Sequence, residues 1–132
     1  MRKLNSFMIL LIMALMASCS NSNTPEAVAT KFNIALYKAD FEVAKGLCTE
    51  DTRKVVDFIA AMVQEKVPEM KKSDIKYKTK DVKLAEDGNS AEVEGIIMGS
   101  IDMNTGGVKD SVTTKLHMVK LQDKWLVQYK LK

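Results

Sequence analysis

The spacing of hydrophobic residues divides this chain of 132 residues into an apolar N-terminus, a helical half and a sheet-forming half. Residues 7–17 form an unbroken apolar run. From Val28 to Val63, apolar residues recur every three or four positions, which is the spacing of one helix face. After Ser73 they alternate with polar residues, which indicates strands. The pattern therefore predicts one domain with helices first and a sheet second.

Three helices are predicted, each preceded by a polar residue that can cap its first turn. Thr24 stands before a Pro-Glu pair, which favours a helix start. Asp40 is expected to cap a short second helix, and Thr49 a third with two acids in its first turn. Pro68 is predicted to end the third helix, because proline disfavours helical geometry in the residue before it.

Four antiparallel strands are predicted, with turns at Asp87-Gly88, Gly106-Gly107 and Gln122-Asp123. A β-bulge near Lys80-Asp81 is needed to keep the apolar residues of the first strand on one face. The expected inward pairs are Leu84–Ala91, Val82–Val93, Thr79–Gly95, Tyr77–Ile97, Ile75–Gly99, Leu116–Tyr129, Met118–Val127 and Lys120–Trp125, and the expected outward pairs are Lys83–Glu92 and Lys80–Glu94. The fold class is thus α+β, with three N-terminal helices on the concave face of a four-stranded antiparallel sheet.

The N-terminus has the features of a secretory signal. Arg2 and Lys3 precede the apolar run, which at eleven residues is too short to span a bilayer as a helix. The run ends in Ala17-Ser18-Cys19, which resembles a bacterial lipobox although Met16 stands where a branched aliphatic residue is usual. We therefore expect a signal peptide over 1–18, an acylated Cys19 in a tether over 19–23, and a single domain over 24–132.

The lipobox resemblance implies a location. An N-terminal cysteine carrying several acyl chains, such as palmitate, would hold the domain firmly on a membrane. Ser20 follows in place of aspartate, which by resemblance to known sorting rules favours the outer membrane of a Gram-negative-type cell, facing the periplasm. Loss of Arg2 and Lys3 with the signal leaves 18 basic and 17 acidic residues. This near-neutral balance predicts no nucleic-acid partner.

Two residues with reactive side chains, His117 and Cys48, are expected to have no chemical role. His117 is the only histidine and is expected on the outer sheet face beside Ile96 and Gln128, without the further ligands that a zinc site requires. Cys48 is the only thiol left once Cys19 is acylated. It is expected to be a small buried hydrophobe, and the alternative is a redox site or an intermolecular disulfide.

A lysine-rich stripe runs into the first strand. The functional alternative is contact with lipid phosphates or acidic glycans. The structural alternative is protection of a sheet edge against pairing with another chain. The stripe consists of Lys71, Lys72, Lys76, Lys78, Lys80 and Lys83.

The two faces of the sheet supply candidate sites. The inner face is apolar with a few polar groups, and it carries no Asp, Glu or His along its strand centres, so no enzyme activity, cofactor or metal is predicted. The outer face carries four apolar residues that suggest a homodimer or partner interface. The predicted ligand contacts are Tyr77, Ile97, Thr114, Leu116 and Tyr129, and the predicted interface residues are Ile96, Met98, Val119 and Leu126.

Motifs at both ends of the domain resemble a known family. The opening segment, residues 25–44, and the closing strand pair, residues 119–127, resemble domain of unknown function 4878, although the family's usual glycine before Lys124 is absent. These are small bacterial lipoproteins similar to the nuclear transport factor 2-like and cystatin-like cone folds. The resemblance implies the fold and the location, and it brings no catalytic residues.

Three functions follow as hypotheses. The first is a non-enzymatic lipoprotein that binds a small apolar or amphipathic ligand in a cone-shaped pocket. The second is a structural or interaction module whose core is filled and which pairs with itself or with an envelope partner. The third is a cryptic enzyme on the cone fold, of the lyase or isomerase type, which would need a titratable group inside the cavity.

Overall fold

The computed structural model describes residues 23–102, 105 and 107–129. Within these residues four α-helices precede four strands, and a single 3₁₀ turn, Gln64–Lys66, joins the last two helices. The helices are α1 (Pro25–Tyr37), α2 (Phe41–Lys45), α3 (Glu50–Met62) and α4 (Val67–Lys72), and the strands are β1 (Lys76–Leu84), β2 (Ser90–Met98), β3 (Val112–Leu121) and β4 (Lys124–Val127). The predicted α+β class, with helices against a four-stranded antiparallel sheet, is confirmed.

The helix starts follow the predicted caps in part. Thr24 Oγ1 accepts a hydrogen bond from the Ala27 amide at 3.1 Å, and the Thr49 hydroxyl accepts one from the Thr52 amide at 3.4 Å. Asp40 stands before α2 but makes no side-chain cap hydrogen bond there. Two of the three helices therefore begin as the sequence predicts, with side-chain oxygens satisfying amides that have no partner within the helix.

The prediction that Pro68 ends the third helix was wrong. Helix α3 ends at Met62, and Pro68 lies in the first turn of α4, so the described part of the chain has four helices where three were predicted. Val67 before it has helical angles, φ −56° and ψ −45°. A proline is tolerated in a first helical turn because its missing N–H would have no partner there. Phe58 of α3 does not join the core and is 65% exposed.

The sheet has the order β1-β2-β3-β4, and its register confirms most of the predicted pairs. The bulge lies between Thr79 and Asp81, so Asp81 and not Lys80 stands opposite Glu94. The first hairpin turn is wider than predicted, with the Gly88 amide bonded to the Ala85 carbonyl at 3.0 Å. The observed turn is centred on the same residues as the predicted one, so the strand register is unchanged. Confirmed pairs are Leu84–Ala91, Val82–Val93, Lys83–Glu92, Thr79–Gly95, Tyr77–Ile97, Met118–Val127 and Lys120–Trp125.

The core lies between α1 and the inner face of the sheet. Helix α1 packs against all four strands. Phe32 is completely buried at its centre, and its ring meets that of Tyr129 edge-on at 5.9 Å. Val93 and Met118 close the sheet side with no exposed surface. The centre of the cone is therefore filled with side chains.

The β4 edge of the sheet is hydrogen-bonded to another segment of the chain, whereas the β1 edge is exposed. On the β4 side, the Val127 amide donates to the Leu47 carbonyl at 2.9 Å, and its carbonyl accepts from the Thr49 amide at 3.0 Å. On the β1 side, Lys76, Lys78 and Lys80 are exposed along an edge strand. This placement supports the edge-protection interpretation of the lysine stripe.

Cys48 belongs to the core, as the structural interpretation predicted. Its side chain is fully buried, and its Sγ lies 3.5 Å from the Lys45 carbonyl. Burial raises the pKa of the Cys48 thiol to about 11. The thiol therefore stays protonated at neutral pH, and this favours a packing role over a redox role.

Two glycines allow close packing, Gly95 against the ring of Tyr77 and Gly99 against the backbone of Asp74. The Tyr77 ring occupies the space that a side chain at Gly95 would fill. Gly99 has a φ of +86°, and a Cβ there would overlap the Asp74 carbonyl oxygen. Gly99 thus allows the chain after β2 to turn sharply against the segment that leads into β1.

We expect Gly99→Ala to lower the free energy of unfolding by about 1–3 kcal/mol, because it combines an unfavourable φ with a backbone overlap. Urea unfolding measures the change. Gly46→Ala is the matched control, since Gly46 has a φ of −73° and its Cβ would lie 3.5 Å from the nearest atom, the Val43 carbonyl oxygen. Equal effects of the two substitutions would contradict the assigned role of Gly99.

Candidate functional site

The five predicted ligand contacts lie on the inner side of the sheet, but they form core rather than the wall of an open pocket. Ile97 is fully buried and Leu116 is 5% exposed. Tyr77 packs over Gly95 across the strand pair, and Tyr129 packs against Phe32. The predicted wall at the strand centres is therefore already covered by α1.

A cavity of about 310 Å³ opens at one end of the cone, beyond the filled centre. The ends of α1 and α3, helix α4, the segment after β2 and the start of β3 form its wall. We call it the open-end cavity; it is lined by Leu36, Tyr37, Ile59, Val63, Met70, Ser100, Ile101, Asp102, Lys109 and Val112. The sequence predicted an apolar inner face but not this cavity, because its wall comes from segments that are far apart along the chain.

Four polar side chains stand in this mainly apolar lining. Tyr37 comes from the last turn of α1, and burial raises the pKa of its hydroxyl, which therefore stays protonated at neutral pH. Ser100 is almost completely buried. The Lys109 amide donates to the Ser100 carbonyl at 2.8 Å, and the Asp102 amide donates to the Gly107 carbonyl at 2.7 Å. These backbone bonds hold the serine, the carboxylate and the ammonium in one wall.

Uncharged polar groups lie in the layer beneath the cavity. Asn33 is one helical turn before Tyr37, and Thr114 is two residues beyond Val112 along β3. Asn33 Nδ2, Thr114 Oγ1 and the hydroxyl of Tyr77 are buried without a hydrogen-bond partner. Burial raises the pKa of Tyr77 more strongly than the nearby Thr79 and Asn33 side chains lower it. The interior below the cavity is therefore polar in places but carries no charge at these groups.

A larger, more open groove of about 510 Å³ lies along α1 and α2. Two of its lysines already act as structural ties: Lys38 Nζ donates to the Ser73 carbonyl at 2.9 Å, and Lys71 Nζ to the Ala39 carbonyl at 3.3 Å. Asp40 adds a negative charge to the same groove. We therefore regard the open-end cavity as the better candidate despite its smaller volume.

The outer sheet face carries a charged band across its middle. His117 points outward as predicted, but its neighbour across the strands is Glu92 and not Ile96. His117 Nδ1 lies 2.5 Å from Glu92 Oε2. Asp81, Glu94 and Lys115 form the next row of the band. Acidic side chains thus alternate with basic ones across β2 and β3, and the close contact in this band is the one between His117 and Glu92.

The four predicted interface residues share the outer face but do not form one patch. Ile96 lies opposite Thr113, whereas Val119 lies opposite Ser90 and Leu126. The positions of Ile96 and Ser90 are six residues apart along β2, which is about 20 Å. Met98 lies at the same end as Ile96. The charged band therefore separates Ile96 and Met98 from Val119 and Leu126.

In the part of the chain that the structure describes, no group of three or more His, Cys, Asp or Glu side chains is arranged to hold a metal ion. No helix in that part has the length and apolar character needed to cross a membrane. The signal peptide, Cys19 and Gly106 lie outside the described residues, so their predicted roles stay predictions.

Comparisons with known proteins identify the fold but no family. No protein-family model matches the chain, and no curated protein sequence matches it. The resemblance to domain of unknown function 4878 therefore stays a prediction.

Solved structures do match. A Campylobacter jejuni protein provisionally described as an NTF2-like transpeptidase aligns with a TM-score of 0.58 at 20% identity, over 81% of this chain and 99% of its own. The intermembrane space region of the chloroplast protein ARC6 aligns with a TM-score of 0.55 at 15% identity, over 79% and 89%. A Nostoc punctiforme protein of unknown function with a cystatin-like fold aligns at 14% identity with a TM-score of 0.49, over 76% and 80%. At these identities the similarity concerns the fold alone: the chain shares the NTF2-like arrangement of helices packed against a four-stranded antiparallel sheet.

Proposed function

We propose that this protein is a lipid-anchored binding protein of the bacterial cell envelope, and that its open-end cavity holds a small amphipathic ligand without transforming it. The observation that carries the proposal is the cavity itself. It lies at the one end of the cone that α1 leaves uncovered, and its lining is mainly apolar with a few polar groups. This composition is typical of small-molecule sites.

The dimensions and chemistry of the cavity favour a small ligand with one polar end. Its volume of about 310 Å³ is near the lower limit of the range of about 300–1,000 Å³ found for ligand pockets. Leu36, Ile59 and Val63 would contact an apolar body. The Tyr37 hydroxyl and the Lys109 ammonium would donate hydrogen bonds to an oxygen of the polar end.

Binding without chemistry is favoured by the state of the polar groups. Tyr37 keeps its proton at neutral pH because burial raises its pKa, so it donates a hydrogen bond but does not act as a base. The buried groups one layer deeper, on Asn33, Tyr77 and Thr114, are uncharged. These groups orient a ligand but are poor at transferring protons.

One observation keeps the enzyme alternative open. Asp102 and Ser100 line the same cavity, and a site with both a carboxylate and a hydroxyl has groups that acid–base chemistry can use. The interaction-module alternative has its own support, since the centre of the cone is filled and two apolar pairs stand on the outer sheet face.

We expect Val63→Trp to fill the open-end cavity and to weaken binding of the anionic amphipathic dye 1-anilinonaphthalene-8-sulfonate by about tenfold or more, a loss of about 1.4 kcal/mol. Dye fluorescence titration measures it on the folded protein. Native mass spectrometry of protein purified without refolding should also show a ligand mass on the natural chain and less of it on the variant.

The matched control is Val119→Trp, which places the same side chain on the outer face. It should leave dye affinity unchanged. Ile59→Trp offers a second filled cavity if Val63→Trp fails to fold. Unchanged binding in a folded filled variant would exclude the cavity as the site, and a dimer mass without ligand would favour the interaction module.

Asp102→Asn distinguishes binding from catalysis. If the cavity only binds, the substitution should leave the mass of the carried ligand unchanged, because no bond is made or broken there. The measurement compares the ligands released from the two proteins by denaturing mass spectrometry. A different ligand trapped on Asp102→Asn, of a mass related to the first by a simple reaction, would support the enzyme alternative.

Membrane attachment is expected to depend on Cys19. Cys19→Ser should move the protein from the membrane to the soluble fraction and abolish incorporation of labelled palmitate, because the serine hydroxyl does not replace the acylated thiol. Cys48→Ala is the control, since it removes the other cysteine and should leave labelling intact. Palmitate incorporation into Cys19→Ser would contradict acylation at this residue.

A further inference from the structure

The N-terminal segment is fastened to one end of the domain. Asn23 Nδ2 donates to the Asp123 carbonyl at 2.7 Å, and Asn23 Oδ1 accepts from the Trp125 amide at 3.3 Å. Asn23 was predicted to belong to the tether, but in the structure it is bonded to the β3–β4 turn. The chain therefore enters the fold at this turn.

The β1–β2 turn lies at the same end. The Lys120 amide donates to the Asn89 carbonyl at 2.9 Å, which brings the two turns together. Gln122 and Asp123 have φ values of 51° and 65°, so the β3–β4 turn is a tight two-residue turn although it contains no glycine. We call these two turns, residues 86–89 and 122–123, the hairpin end.

Helix α1 runs from the hairpin end to the open-end cavity. It starts two residues after Asn23, and Leu36 and Tyr37 in its last turn line the cavity. Thirteen helical residues span about 20 Å. The entry point of the chain and the cavity are therefore at opposite ends of the domain.

We propose that the hairpin end faces the membrane and that the open-end cavity faces away from it, so that the ligand enters from the aqueous phase and not from the anchoring bilayer. This inference rests on the proposed acylation of Cys19. Four residue steps separate Cys19 from Asn23, and a fully extended chain covers at most about 14 Å in four steps. The hydrogen bonds of Asn23 then keep the hairpin end at the lipid surface.

The orientation also narrows the class of ligand. A cavity held about 20 Å beyond the hairpin end lies outside the headgroup layer, so its occupant must cross water or be delivered by a partner on that side. We infer a water-dispersible amphipath rather than a long-chain lipid drawn directly from the anchoring bilayer. The small cavity volume fits the same class.

Energy transfer to the membrane tests the orientation. The full acylated chain is placed on vesicles that carry an acceptor dye on their headgroups, with a donor dye at Lys124→Cys or at Lys72→Cys. Both natural residues are exposed lysines, one near the hairpin end and one beside the open end. We expect transfer from position 124 to exceed transfer from position 72 by about twofold or more, because the ends are about 20 Å apart.

Background labelling should be low, because Cys48 is fully buried and acylated Cys19 has no free thiol. Equal transfer from the two positions, or greater transfer from position 72, would overturn the orientation alone. Failure of the chain to float with the vesicles would overturn the anchoring itself, and the orientation with it. The two failures are therefore distinguishable.

Asn23→Ala provides the positional control. It removes both side-chain hydrogen bonds to the β3–β4 turn and leaves Cys19 in place. We expect the variant to bind vesicles as well as the natural chain, with the difference between the two donor positions reduced by about half or more because the domain then pivots on a longer tether. An unchanged difference would show that Asn23 does not set the orientation.

Discussion

The packing of α1 across the inner face of the sheet is the contact on which the rest of the structure depends. The helix lies against every strand, and Phe32 at its centre has no exposed surface. Burial of such a side chain stabilises a small domain by about 1.5–3 kcal/mol, which is a large share of its total stability. Because α1 covers the strand centres, most of the inner surface of the sheet is buried there.

The position of α1 also fixes where a ligand site can form. The helix ends at Tyr37, whereas the sheet and its following segment continue to Ser100 and Ile101. Helices α3 and α4 close this end only in part, and the remaining space is the open-end cavity. The site is thus a consequence of the difference in length between the helix and the surface it covers.

Charge has a structural role over most of this domain. The rows across the outer face pair Glu92 with His117 and Glu94 with Lys115, and two groove lysines donate to backbone carbonyls. Such partly buried polar contacts help to fix which strands and loops lie next to each other. Asp102 and Lys109 differ from these because both line the open-end cavity.

The sequence alone determined that helices precede the strands, and it determined most of the strand register. Alternating residues must place Val82, Val93 and Leu116 on the buried face, and a shift by one residue would expose them all. The tertiary structure alone decided the role of Pro68, the partner of His117 and the site. A proline is compatible with either the end or the start of a helix, and a cavity is the space that several distant elements leave between them. Local patterns determine what each segment buries, and only their packing determines what remains open.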